Sequence, residues 1–260
     1  MNIEQLKLFK QSNEKITCLT AYDASFAKLF DDCGVDVILV GDSLGNVIQG
    51  AENTLGVSMD DMAYHTQAVA KGAKNALLIA DMPYQSYGSA EQTLINAKRL
   101  MDVGAQMVKF EGGREHEASF KILQANNIPV CGHLGLQPQS VIEMGGYKVQ
   151  GKDEASAKRI VDDALALESW GVQTLVLECI PAELAKQISQ NLSIPTIGIG
   201  AGIDCDGQVL VSYDMLGINT GHMPKFVKNF LSGSDSIESA VKDYIHSIKN
   251  QAFPGDEHSY

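Results

Sequence analysis

Four carboxylates close four short apolar runs of this chain. They are Asp42 in VDVILVGDS (residues 35–43), Asp81 in ALLIAD (76–81), Glu111 in MVKFE (107–111) and Glu178 in TLVLE (174–178). Runs of this length, rich in Val, Ile and Leu, read as strands buried on both faces of a parallel sheet. Parallel α/β folds place their chemistry at the carboxyl ends of such strands. A single strand-end acid is as readily an N-cap or a loop residue. Four on separate strands, aimed at one mouth, repel one another unless a positive group sits between them. All-oxygen donors without a His or Cys cluster favour Mg²⁺ over zinc. Two or three of these acids could then hold metal, leaving one as a base.

Three further positions adjoin these ends. Ser43 follows Asp42 directly and places a hydroxyl at the same rim. Lys109 precedes Glu111 by two, so strand alternation turns both to one side and Phe110 into the outer packing. Lys109 is then either a neutralising partner for the acids or a cation for a substrate carboxylate; a Schiff base is disfavoured, because neighbouring acids keep the amine protonated. His133 lies in VCGHLG at the end of the fifth strand, as a structural hydrogen-bonder or as a donor or proton relay beside a substrate. The other histidines (His65, His116, His222, His246 and His258) read as surface or packing residues. GIGAG at 198–202 suits phosphate binding through backbone N–H groups, close backbone packing or room for a bulky cofactor, and it lacks a P-loop lysine.

The elements that must position these residues alternate along the chain. A short amphipathic helix (3–11) precedes a first strand over 15–23. Helices are expected over 24–33, 59–71, 90–103, 116–126, 154–170 and 181–190, with Ser58 and Ser89 as N-caps. Strands are expected over 35–43, 75–82, 105–111, 128–134, 172–178 and 194–199. Residues 44–57 read as a loop, and 209–216 as a short helix or the eighth strand. A helical tail over 226–248 is broken at 232–236. Gly34, Gly104 and Gly171 each close a helix shortly before a strand-end acid. The longest irregular stretch, 135–152, is of a length that is more often functional than passive. This repetition predicts an α/β fold, a (β/α)₈ TIM barrel with a short N-terminal helix, formed by residues 1–260 as a single domain. An open doubly wound sheet is the runner-up, and no GxGxxG follows the first strand to support it.

Composition narrows the function. The net charge of −12 and the lack of a basic tract argue against nucleic acid as a partner, while leaving room for an anionic small substrate held by a local cation. The five cysteines are scattered without CxxC spacing, which argues against a disulfide framework and for a reducing compartment. The opening MNIEQLKLFK shows neither a signal core nor a transit pattern, and no apolar run approaches a membrane span. A soluble, cytoplasmic protein is expected.

Several strings together resemble one family. TAYD, VGDSLG, the Asp81–Met82–Pro83 segment, VKFEGG, VCGHLGLQPQS, GGYKVQG, LVLECIP, IPTIGIGAG, DGQVLV and the closing EHS occur in this order over nearly the full length. They are similar to the ketopantoate hydroxymethyltransferases. The resemblance implies a Mg²⁺-dependent (β/α)₈ enzyme. Such an enzyme moves a one-carbon unit from methylenetetrahydrofolate to α-ketoisovalerate, giving ketopantoate and tetrahydrofolate in pantothenate biosynthesis by way of an enolate. By the same resemblance Asp42 and Asp81 match metal ligands, and Glu111 matches a third acid at the metal. Asp42, Ser43, Asp81 and Lys109 match positions lining the keto acid, His133 a histidine near it, and Glu178 the general base. The family's assembly implies a homodecamer of two five-membered rings. Phe110 departs from the aliphatic residue more usual there, at a position expected to face away from the site.

Two other readings are open to the sequence. A Mg²⁺-dependent C–C lyase or a phosphoenolpyruvate-mutase-like barrel would share strand-end acids, but the cysteine-bearing catalytic loop expected of the lyases is missing. A barrel kept only for assembly or regulation would not need acids at all four strand ends.

Overall fold

Eight parallel strands close on themselves in sequence order in the computed structural model, which describes residues 1–142, 145–219 and 223–260. They are β1 (Ile16–Thr20), β2 (Val37–Val40), β3 (Leu77–Asp81), β4 (Met107–Glu111), β5 (Val130–Gly135), β6 (Thr174–Glu178), β7 (Thr196–Ile199) and β8 (Gly207–Leu210). β1 pairs with both β2 and β8, so the sheet has no free edge. Helices fill the crossovers between successive strands except from β7 to β8, which residues 200–206 join by bends and turns. The closed eight-stranded sheet is the (β/α)₈ barrel that the alternation predicts.

Local chemistry sets the helix ends. Asp23 accepts from the backbone N–H of Ser25 and Phe26 and so caps the helix Ala24–Cys33 rather than facing the mouth. Gly34 closes that helix at φ +90°, where a side chain would be strained. Ser58 and Asp61 form a reciprocal capping box at the start of Met59–Gly72. The core is continuous between the strands' outer faces and the helices. Phe110 stacks on Phe120 of the helix Glu117–Ala125 with centroids 4.3 Å apart, so it does face outward.

Some boundaries differ from the sequence reading. β2 stops at Val40, and Asp42 sits in the turn beyond it. The 44–57 loop begins with a helical turn, Leu44–Val47. Residues 209–216 contain both alternatives, the end of β8 and the turn Ser212–Met215. The tail is helical only over Ile237–Lys249. Between 226 and 236 the chain runs in turns: Val227 N donates to Pro224 O, and Asn229 Oδ1 accepts from the N–H of Leu231 and Ser232. Phe226 and Phe230 have helical spacing for another reason. Phe230 packs edge-on against Tyr244 and Phe253, and Phe226 lies against Gly200. No described helix is long and apolar enough to cross a membrane.

Candidate active site

Strand register brings the chemistry together at the carboxyl rim. Asp81 on β3 is paired with Lys109 on β4, Glu111 on β4 with His133 on β5, and Gly135 on β5 with Glu178 on β6. Because these strands are parallel, residues level with one another project into the barrel side by side. Lys109 Nζ lies 2.7 Å from Asp81 Oδ1 and 3.5 Å from His133 Nδ1. His133 stands between two acids, with Nδ1 3.4 Å from Glu111 Oε1 and Nε2 3.2 Å from Glu178 Oε2. The Asp42 backbone N–H donates to Asp81 Oδ2 at 3.1 Å, drawing the turn after β2 onto β3. Ser43 Oγ is 2.8 Å from the Tyr22 hydroxyl. Gly135 has φ +98°, and a Cβ there would overlap the Glu178 carbonyl oxygen, so only glycine lets β5 and β6 approach this closely.

All of Asp42, Asp81, Lys109, Glu111 and His133 are buried, and this sets their charge states. Burial, then the charges of Asp81 and Glu111, push the Asp42 carboxyl up to about 8. Burial also raises Asp81, against the pull of Lys109. Burial would strip the proton from Lys109, but Asp81, Glu111 and Asp42 outweigh it and hold the ammonium well above its ordinary value. Burial and Lys109 push His133 down, yet the carboxylates of Glu111 and Glu178 on either side of it lift it to about 9. Glu178 is the most open of the acids, with 14% of its side chain exposed against 3% for Glu111.

Among the described residues no group of three or more His, Cys, Asp or Glu is arranged to cage a metal ion. The donors nevertheless suit a hard cation that draws on one or two carboxylates and completes its shell with water and substrate. They are oxygen-only, Asp42 and Asp81 are adjacent, and burial raises both, with the charges of Asp81 and Glu111 adding to the rise of Asp42 and that of Glu111 to the rise of Asp81, which a divalent charge would reverse. Asp42 and Asp81 could hold Mg²⁺, with Glu111 close by.

These side chains line one cavity of about 780 Å³ at the barrel mouth. The chain matches the family described as ketopantoate hydroxymethyltransferase over residues 1–256. A protein named 3-methyl-2-oxobutanoate hydroxymethyltransferase from Ruthia magnifica subsp. Calyptogena magnifica is 73% identical over 260 residues, 100% of both chains. One of the same name from Shewanella halifaxensis is 56% identical over 255 residues, 98% of this chain and 97% of that one. The chain belongs to this family. The ketopantoate hydroxymethyltransferases are transferases, and this chain is an enzyme of that class. Among solved structures, a phosphonopyruvate hydrolase complexed with oxalate and Mg²⁺ superposes with a TM-score of 0.62 at 15% identity, covering 81% of each chain. A phosphoenolpyruvate phosphomutase from Streptomyces platensis subsp. rosaceus gives 0.63 at 14%, covering 84% of each. At such identity the likeness is one of fold alone.

The sequence reading passed over several residues at this mouth. Tyr22 positions Ser43, and His65 Nδ1 lies 2.6 Å from the Tyr22 carbonyl oxygen, a packing role consistent with its reading. Tyr147, Asp214, Phe226 and Tyr260 also line the cavity, Tyr147 and Tyr260 being exposed and the other two buried. Gln139, on the turn Pro138–Ser140, bonds to two of the acids. The loop over 135–152 was marked by its length, and Leu136, Pro138 and Tyr147 from it line the cavity. His116 packs on Tyr87, and His222 lies outside the described residues. In GIGAG the close-packing alternative applies: a Cβ on Gly200 would press on Phe226 and Tyr260, and one on Gly202 on Ala182.

Proposed function

We propose that this chain transfers the one-carbon unit of 5,10-methylenetetrahydrofolate to α-ketoisovalerate (3-methyl-2-oxobutanoate), giving ketopantoate and tetrahydrofolate. The reaction is a step of pantothenate biosynthesis in the cytoplasm, carried out with Mg²⁺ by a single-domain barrel assembled as a homodecamer. The observation that carries this reading is the meeting of Asp42, Ser43, Asp81, Lys109, Glu111, His133 and Glu178 around one cavity. The phosphonopyruvate hydrolase of the same fold was solved with oxalate and Mg²⁺, ligands of the type proposed for this mouth.

Each side chain has a part. Glu178, the most solvent-accessible of the acids, takes the C3 proton of the keto acid, and the electron pair moves to the keto oxygen. Asp42 and Asp81 hold Mg²⁺ with Glu111 beside it, and the metal when bound supplies positive charge where the keto oxygen becomes negative. Lys109, kept charged by its acidic neighbours, and Ser43, held by Tyr22, fix the substrate carboxylate. His133 touches Glu178 on one side and Glu111 on the other, and so holds the base in line. Water adds to the folate-borne methylene and both of its C–N bonds break, freeing tetrahydrofolate and a formaldehyde-level carbon. The C3 carbanion adds to that carbon, whose oxygen takes the proton held by Glu178 to become the hydroxyl. The rings of Tyr147, Phe226 and Tyr260 give the cavity flat apolar walls suited to a pterin.

Proton exchange separates this chemistry from transfer. Deuterium on C3 of α-ketoisovalerate should be lost to water with Mg²⁺ and without folate. In Glu178→Gln the loss should slow by about 10²- to 10⁴-fold. Full activity in both Glu178→Gln and Asp81→Ala would end this assignment. Sedimentation that finds a monomer would remove the decamer from it.

A further inference from the structure

Gln139 is buried, and every hydrogen-bonding group of its side-chain amide is engaged. Nε2 donates to Asp42 Oδ2 at 2.8 Å and to the Met82 carbonyl oxygen at 3.0 Å, while Oε1 accepts from the Tyr87 hydroxyl at 2.5 Å. Its backbone N–H donates to Glu111 Oε2 at 3.0 Å. The Met82 carbonyl can only accept, so the amide nitrogen must face it. That fixes the orientation, and an N–H necessarily points at Asp42. Among the described residues this is the one hydrogen bond to the Asp42 side chain. One residue on the loop after β5 thereby grips the acid after β2 and the acid at the end of β4.

We propose that Gln139 is a positioning residue for divalent-cation binding. It holds Asp42 by one oxygen so that the other faces the cavity, and it sets Glu111 at the same time. Tyr87 keeps the amide in register. A ligand carboxylate fixed by an outer hydrogen bond loses less freedom when metal binds, and removing such partners typically weakens binding by about 10- to 100-fold. The inference rests on reading Asp42 as a metal ligand.

The test is calorimetric titration of the folded, metal-free protein with Mg²⁺, repeated with Mn²⁺. Gln139→Met should raise the Mg²⁺ dissociation constant by about 10- to 100-fold. Tyr87→Phe should raise it less, and the double variant should bind no more weakly than Gln139→Met alone, because both act through one amide. In turnover the Mg²⁺ concentration for half-activation should rise likewise, with kcat recovering at saturating metal. A merely structural amide would lower stability and leave the metal constant in place. A folded Gln139→Met with a dissociation constant within about twofold of wild type overturns the proposal. Should that variant not fold, an unchanged constant in Tyr87→Phe overturns it equally. Asp42→Asn, titrated alongside, tells the two failures apart. Loss of Mg²⁺ binding there with none in Gln139→Met sinks only the role of Gln139, whereas unchanged binding in Asp42→Asn sinks the metal-ligand reading as well.

Discussion

Asp42 is placed where its charge is least welcome in the metal-free protein. Burial, Asp81 and Glu111 push its carboxyl up to about 8, so the folded chain holds that proton more tightly than the unfolded one does. The stability this gives is complete below the unfolded value near about 4 and is lost as pH rises through about 8. His133, lifted to about 9 by Glu111 and Glu178 against burial and Lys109, has the same sign: its contribution is complete below about 6.5 and fades through about 9. Thermal melts in chelator should therefore show Tm falling as pH is raised across this window. Added Mg²⁺ supplies the missing charge and should raise Tm more at about pH 8.5 than at about pH 6.5. Asp42→Asn removes the repulsion but also the proposed ligand. Without metal it should melt higher than wild type at about pH 8.5, and it should gain nothing from Mg²⁺. A flat Tm–pH curve for the metal-free wild type would contradict the crowding of the acids.

β4 shows how one strand serves site and scaffold at once. Lys109 and Glu111 face the mouth while Phe110 between them stacks outward on Phe120, in contact also with Tyr87. Phe110→Ala should cost about 3–5 kcal/mol in denaturant unfolding, with kcat/KM held near wild type at temperatures where the variant stays folded. A matching collapse of kcat/KM would mean that the outer packing sets the site's geometry. This strand was legible in the sequence because period-two alternation and a terminal acid are local signals, and the same held for Asp81 and Glu178. Other features were illegible for physical reasons. The helix expected from 226 to the break at 232–236 is instead a run of turns, because Phe226 and Phe230 are held by partners (Gly200, Tyr244, Phe253) from distant parts of the chain. Gln139 is uncharged, shows no periodicity, and bonds to side chains and carbonyls 28 to 97 positions away. The length of its loop and the string VCGHLGLQPQS pointed to its neighbourhood, and neither pointed to its contacts.

At the opposite rim the barrel is closed by a device repeated four times. The residue just before each even strand accepts, through its side chain, the N–H at the start of the preceding odd strand. Asp36 Oδ2 accepts from Thr17 N at 2.9 Å, Gln106 Oε1 from Leu78 N at 2.9 Å, Gln173 Oε1 from Val130 N at 2.7 Å, and Asp206 Oδ2 from Thr196 N at 2.8 Å. Three of the four follow a helix-ending glycine by two positions (Gly34, Gly104, Gly171), so the recurring unit of the chain ends each helix and clips the next pair of strands in one stroke. The two aspartates also carry lysines, Lys249 at 2.9 Å on Asp36 and Lys10 at 2.7 Å on Asp206. Strands of about five residues separate these clips from the catalytic rim by roughly 15 Å, so stability and chemistry should be divisible. Gln106→Ala and Gln173→Ala should each lower unfolding free energy by about 1–2 kcal/mol, and Asp206→Ala by more, because Lys10 loses its partner as Thr196 N loses its acceptor. In all three, kcat and the Mg²⁺ dissociation constant should match wild type at temperatures well below the melt. A clip variant that weakens metal binding while still folded would show that the two ends of the barrel are coupled through the strands, and that the site depends on how the sheet is closed beneath it.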